Sequence, residues 1–198
     1  MNRVVNKIQQ VLFILLGITI PTSIAITNLV IGLLALCWII EGDFKNKFKT
    51  IKASKWMLSI FALIALYGLG MLWGNTHLNA EWQFQRLALL LVFPILATIA
   101  ISQLTIKRSV MAFLGTAFIS ALASILINNN IIQPLGEYLS FIQVSWRNAA
   151  FITYNYHNVI LALSVILSLY ILIEKKTKYN YLLMIFIAAY ALSIFTER

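Results

Sequence analysis

Hydrophobic residues run in long blocks along this chain, and short polar clusters separate them. A bilayer core about 30 Å thick is crossed by roughly 20 helical residues, so each block can be measured against that length. Residues 11–40 are almost continuously apolar, too long for one untilted crossing, but Pro21, Thr22, Ser23, Thr27 and Asn28 interrupt them near the middle. The interruption predicts a tight hairpin, with a first helix ending near Ile20 and a second running from about Ser23 to Ile40. A rival reading of the same start is a signal peptide: Arg3 and Lys7, an apolar core, then the small-residue site Ser23-Ile24-Ala25. It would leave the later topology unchanged.

The remaining blocks follow the same logic. Residues 41–55 read as a loop carrying Lys45, Lys47, Lys49, Lys52 and Lys55. A third helix covers 56–73, with tryptophans at both ends as interfacial anchors. Residues 74–85 are a polar loop holding His77 and Glu81. A fourth helix runs from about Arg86 to Gln103, bending at Pro94, and Lys107 with Arg108 make the next turn. A fifth helix spans 109–127 and stops at Asn128-Asn129-Asn130. Residues 135–144 form a short interfacial helix. A sixth helix covers 159–173 with His157 and Asn158 at its start, and a seventh covers 181–195 after a basic turn at 174–178. The expected fold is all-α: a polytopic transmembrane bundle of about seven helices, N-terminus cytoplasmic. No repeat or linker divides it, so residues 1–198 form a single domain.

Composition agrees. The 198 residues are 61% hydrophobic and 11% charged, where a soluble domain of this size carries far more charge. The net charge of +9 raises nucleic acid as a partner, but the charges sit in short runs between apolar blocks, which is membrane topology. With the N-terminus inside, twelve of the fifteen basic residues fall on the inner side: Arg3, Lys7, the five lysines of 45–55, Lys107, Arg108, Lys175, Lys176 and Lys178. Arg86, Arg147 and Arg198 remain outside. The single cysteine, Cys37, lies in an apolar run as a packing residue.

No P-loop, dinucleotide fingerprint, HExxH or CxxC is present, and the two histidines lie far apart in sequence, so neither a cofactor nor a metal is expected. The carboxylates fall in loops or at helix ends, which weakens proton-coupled transport. Attention therefore goes to the segment Ser145 to Asn158, SWRNAAFITYNYHN, which gathers an outward arginine, a histidine, three asparagines and two tyrosines between apolar blocks. All three outer basic residues are arginines, whose planar fork suits phosphate bidentately; anchoring at lipid headgroups by snorkelling is the plainer alternative. His157 is open to a structural or a functional role. Tyr154 and Tyr156 fit an interfacial belt or stacking on sugars.

Several stretches carry a family resemblance. IPTSIAITNLVIGLLALCWIIEG followed by the lysine run, LIALYGLGMLWGN and FQRLALLLVFPIL together resemble the amino-terminal half of the bacterial O-antigen ligase family, which is related to O-antigen polymerases. SWRNAAFITYNYHN resembles its segment in which an outward arginine precedes a helix. SIFTER resembles its T-x-S-R motif, with Glu197 where serine is commoner. The resemblance implies a metal-independent, inverting glycosyltransferase of the bacterial inner membrane, acting on the periplasmic face. The donor is a glycan on undecaprenyl pyrophosphate and the acceptor a hydroxyl of the lipid A core. Carried over by position, Arg147 and Arg198 contact the pyrophosphate, Arg86 is a weaker third, Tyr154 and Asn158 are further substrate contacts, and His157 orients donor or acceptor. The family's candidate base lies in a later periplasmic loop, so a truncated part of a larger ligase-like fold is expected here and its turnover stays open. An O-antigen or exopolysaccharide polymerase and a non-catalytic membrane protein or transporter subunit are the alternatives.

Overall fold

A computed structural model of the chain describes residues 3–73, 84, 87–128, 131 and 154–174. Among these the structure is helical, with no strand. In chain order the elements are α1 (Arg3–Thr19), α2 (Ile24–Glu41), α3 (Phe44–Ala53), α4 (Lys55–Trp73), a short 3-10 turn (Leu89–Leu91) leading into α5 (Val92–Thr98), α6 (Gln103–Asn128) and α7 (Tyr154–Glu174). Among the described residues, three helices are long and apolar enough to cross a membrane: Ile24–Glu41, Gln103–Ile127 and Tyr156–Ile173. A fourth span results if α3 and α4, bent by 93° at Ser54, are counted together. The chain is a membrane protein by these lengths and compositions. The expected seventh helix, at 181–195, and the interfacial helix at 135–144 lie outside the described residues.

The hairpin forms where Pro21 was expected to force it. Thr19 ends α1, and Thr22 and Ser23 return their amide protons to the Thr19 carbonyl at 3.0 and 2.9 Å. The buried positions of α1 are Val5, Gln9, Leu12, Leu16 and Thr19, spaced 4-3-4-3 as one helical stripe requires.

Three expectations are corrected. Residues 41–55 contain a helix, α3, rather than a loop. Its entry is built by two consecutive residues in the left-handed region, Gly42 at φ 71° and Asp43 at φ 52°. Glycine adopts that conformation freely and aspartate better than most side chains. Second, Lys107 and Arg108 do not form a turn. They lie in the second turn of α6, which starts at Gln103 behind a serine cap, the Ser102 hydroxyl accepting from the Thr105 amide at 3.2 Å. Third, the fourth helix does not continue to Gln103. It ends at Thr98, because Ile99 turns extended (φ −72°, ψ 132°), while Pro94 sits in its first turn, where a missing N–H costs nothing.

The residues cluster into two compact units. The first comprises Met1–Gln10 and Ile31–Ile101, the second Val11–Val30 and Ser102–Arg198. In the first, α3 packs against α4 and α5, and Ile51, Met57 and Ile99 are buried. In the second, α6 and α7 form the main helix pair, with Ala121 and Leu161 at its centre and Val165 against them.

Candidate functional site

Each unit holds one cluster of buried polar groups, and both were assembled from residues far apart in sequence. In the first unit, α2 ends on Glu41 and the Gly42–Asp43 turn swings α3 back, so that Lys47 in its first turn faces the helix it has just left. The Lys47 ammonium lies 3.0 Å from Glu41 Oε2, and both side chains are almost wholly buried, at 6% and 7% exposure. It also donates to the Trp38 carbonyl at 2.7 Å, one of the orphan acceptors at a helix C-terminus. The Trp38 ring lies 4.6 Å below the cation and the Phe44 ring 5.7 Å, in reach of a cation–π attraction. Gln9, from α1, donates through Nε2 to the same carboxylate oxygen at 3.2 Å. Its Oε1, buried, has no hydrogen-bond partner. The Trp38 indole in turn donates to Thr98 Oγ1 at 2.9 Å, tying in the end of α5.

The second cluster lies between α6 and α7. His157 was placed at the helix start by sequence and is found one turn inside α7, 1% exposed. Its Nδ1 lies 3.3 Å from Ser120 Oγ and its Nε2 3.3 Å from Ser124 Oγ. Ser124 gives its own hydroxyl proton to the Ser120 carbonyl at 3.0 Å. Its oxygen is therefore left to accept from the ring, which places the proton on Nε2 and leaves Nδ1 to accept from Ser120. A neutral imidazole has one donor and one acceptor, and the two serines use both. The same seam carries Ser164, whose hydroxyl donates to the Ile160 carbonyl at 2.7 Å, and Ser168, whose buried Oγ has no partner.

These groups differ from the expected site. Asn158 is half-buried beside His157 on α7, and Tyr154 is the first residue of α7. Arg86, Arg147 and Arg198, together with the Tyr154 side chain, lie outside the described residues, so the arginine grip has no described geometry. Among the described residues, no group of three or more histidine, cysteine, aspartate or glutamate side chains could hold a metal ion. The Glu41–Lys47 pair was missed by sequence reasoning. Its signal was a carboxylate and a lysine flanking a Gly-Asp turn, with Trp38 ahead of the carboxylate and Phe44 between it and the lysine. Chemically, the first cluster is a closed ion pair whose cation meets two acceptors and two aromatic rings, and the second is a neutral hydrogen-bonded bridge between two helices. No protein family model, curated protein or solved structure significantly matches the chain.

Proposed function

We propose that the chain is the amino-terminal part of an O-antigen ligase-like glycosyltransferase, which handles a glycan on undecaprenyl pyrophosphate at the outer face of the bacterial inner membrane. The acceptor is a lipid A-core hydroxyl. The observation that carries this reading is the segregation of cations: ten of the twelve basic residues assigned to the inner side are lysines, and all three assigned to the outer side, Arg86, Arg147 and Arg198, are arginines. A lipid diphosphate leaving group develops charge as its glycosidic bond breaks, and fixed guanidinium forks at that boundary stabilise it. The order of the resembling segments along the chain supports the same assignment. Seven spans and a cytoplasmic N-terminus belong to this proposal, resting on the same charge asymmetry.

The test is complementation of a ligase-deficient strain by the chain. The reading expects polymer transfer to the lipid A core, and loss of that transfer with Arg147→Lys at unchanged membrane abundance. Transfer by the lysine variant at the wild-type level would remove Arg147 from the pyrophosphate site.

A second reading, a non-catalytic membrane protein, is favoured by one observation. His157, the chemically most versatile side chain of the 145–158 segment, has both ring nitrogens occupied by serines and is 1% exposed. In that case the outer arginines only anchor helix ends. The Arg147→Lys transfer assay separates the two, and accessibility labelling of Arg147→Cys and Arg198→Cys variants tests what they share: both readings fail on the arginines if the labels report the cytosolic side.

A further inference from the structure

The lysines of α3 do not all do the same thing. Lys47 turns inward to Glu41, whereas Lys45, Lys49 and Lys52 are exposed. At 3.6 residues per turn, positions 45, 49 and 52 fall within an arc of about 60°, almost diametrically opposite position 47. Next to that stripe stands Phe48, 53% exposed, with Phe44, 42% exposed, beside it. The helix meets α4 at 93°. With α4 in the bilayer, α3 therefore runs along the membrane surface. A short helix with lysines on one flank and phenylalanines on the next is the arrangement that seats aromatic rings at the acyl boundary and ammonium groups among headgroups.

We propose that α3 is a binding surface for anionic phospholipid headgroups, with Lys45, Lys49 and Lys52 contacting lipid phosphates and Phe48 inserted beside them. The buried Lys47–Glu41 pair sets the roll of the helix. Rotating α3 to bring the stripe away from the surface breaks the 3.0 Å ion pair and the 2.7 Å bond to the Trp38 carbonyl together. The occupant is lipid rather than soluble polyanion for two reasons: the phenylalanines flanking the stripe have no use for a water-soluble ligand, and charge complementarity requires only the negative leaflet on which the helix lies. The proposal shares with the glycan-transfer reading only the placement of these lysines on the inner side, and its test reads lipid, not glycan transfer, so either can fail without the other.

The experiment reconstitutes the full chain in phosphatidylcholine bilayers containing a minor fraction of phosphatidylglycerol, extracts it gently, and measures the co-extracted lipid by mass spectrometry. Phosphatidylglycerol is expected to be enriched over its bulk fraction, and the enrichment to fall steadily with added sodium chloride. Each surface lysine is worth about fivefold in affinity for an anionic leaflet, so Lys45→Gln/Lys49→Gln/Lys52→Gln should weaken the preference by at least about tenfold. The corresponding triple arginine variant should keep it. Equal enrichment in the wild-type and triple glutamine chains overturns the proposal. So does a wild-type enrichment that is absent or indifferent to salt, a readout that needs no variant to fold. Displacement of the lipid by inorganic phosphate beyond what chloride achieves at equal ionic strength would assign the stripe to free phosphate, and also overturns it.

Discussion

The two buried polar clusters solve one problem by opposite means. At the end of α2 a full charge is taken out of water and matched: Glu41 faces Lys47 and Gln9, and two aromatic rings lie against the Lys47 ammonium. Between α6 and α7 nothing is charged: His157 is bridged by the hydroxyls of Ser120 and Ser124, and small residues let the helices approach. Matched charges are strong only as a pair, because desolvating either alone costs several kcal/mol. Neutral hydroxyl bridges are weak individually, since in a membrane the separated helices find other partners for the same groups. The first cluster should therefore behave as an all-or-none clamp and the second as a set of small, nearly independent increments.

The largest effect expected is at the clamp. Lys47→Met strands the Glu41 carboxylate and should cost about 3–5 kcal/mol, read by denaturant unfolding of the purified chain in detergent. Adding Glu41→Leu should recover most of that loss, because the paired apolar replacement removes the uncompensated charge. A double variant no better than Lys47→Met would mean that the pair is not a unit, and the contrast between the regions would fail at its stronger side.

The next effect compares two glycines. A Cβ on Gly17 would collide with the Ser109 carbonyl and hydroxyl, and Ser109 Oγ already donates to the Phe13 carbonyl at 2.8 Å. Nothing lies within 4 Å of the same atom built on Gly32. Gly17→Ala should therefore cost about 1–3 kcal/mol through overpacking of a backbone that cannot yield. Gly32→Ala should be neutral or stabilising by up to about 1 kcal/mol, since alanine is the better helix former. Equal unfolding midpoints for the two variants would show that α1 is not held against Ser109.

Within the seam, Ser124→Ala removes the acceptor of His157 Nε2 and should cost only about 0.6 kcal/mol, with about 1.7 kcal/mol as the upper end for such bonds in a membrane. A loss comparable to that of Lys47→Met would erase the distinction between clamp and seam.

How much of this was legible depends on which signal each element leaves. The hairpin at Pro21 and the Lys55–Trp73 helix follow from block length and a breaker, and both are found where expected within about two residues. The helix α3 was hidden because its lysines dominate the segment. Its apolar positions Phe44, Phe48 and Ile51 keep the helical i, i+4, i+7 spacing, but three residues in ten do not outweigh a run of cations. Lys107 and Arg108 suggest a boundary by the same bias, although both residues are good helix formers and Ser102 offers the cap. The Glu41–Lys47 pair left only the residues around its Gly-Asp turn as a signal, and the left-handed conformation of Gly42–Asp43 decides where Lys47 points. The serine seam left a readable pattern: Phe113, Ala117, Ser120 and Ser124 on α6 and His157, Leu161, Ser164 and Ser168 on α7 share a 4-3-4 spacing. Sequence reasoning gave the second helix its histidine but not the pairing of the two stripes.

That pairing makes a last prediction, opposite in sign to the one for Ser124→Ala. Ser168 continues the buried stripe of α7, is 0% exposed, and its hydroxyl has no hydrogen-bond partner, unlike Ser164 one turn earlier, which bonds the Ile160 carbonyl. A buried hydroxyl without a partner costs free energy that its removal returns, while the lost methylene-sized volume is only that of one oxygen. Ser168→Ala should therefore leave stability unchanged or raise it by up to about 1 kcal/mol, whereas Ser164→Ala should lower it slightly. If the seam were a network in which each hydroxyl supports the next, Ser168→Ala would be destabilising like Ser124→Ala. Unfolding the three variants side by side thus decides whether the neutral seam is a sum of separate bonds, as its contrast with the ion-pair clamp requires, or a cooperative unit of its own.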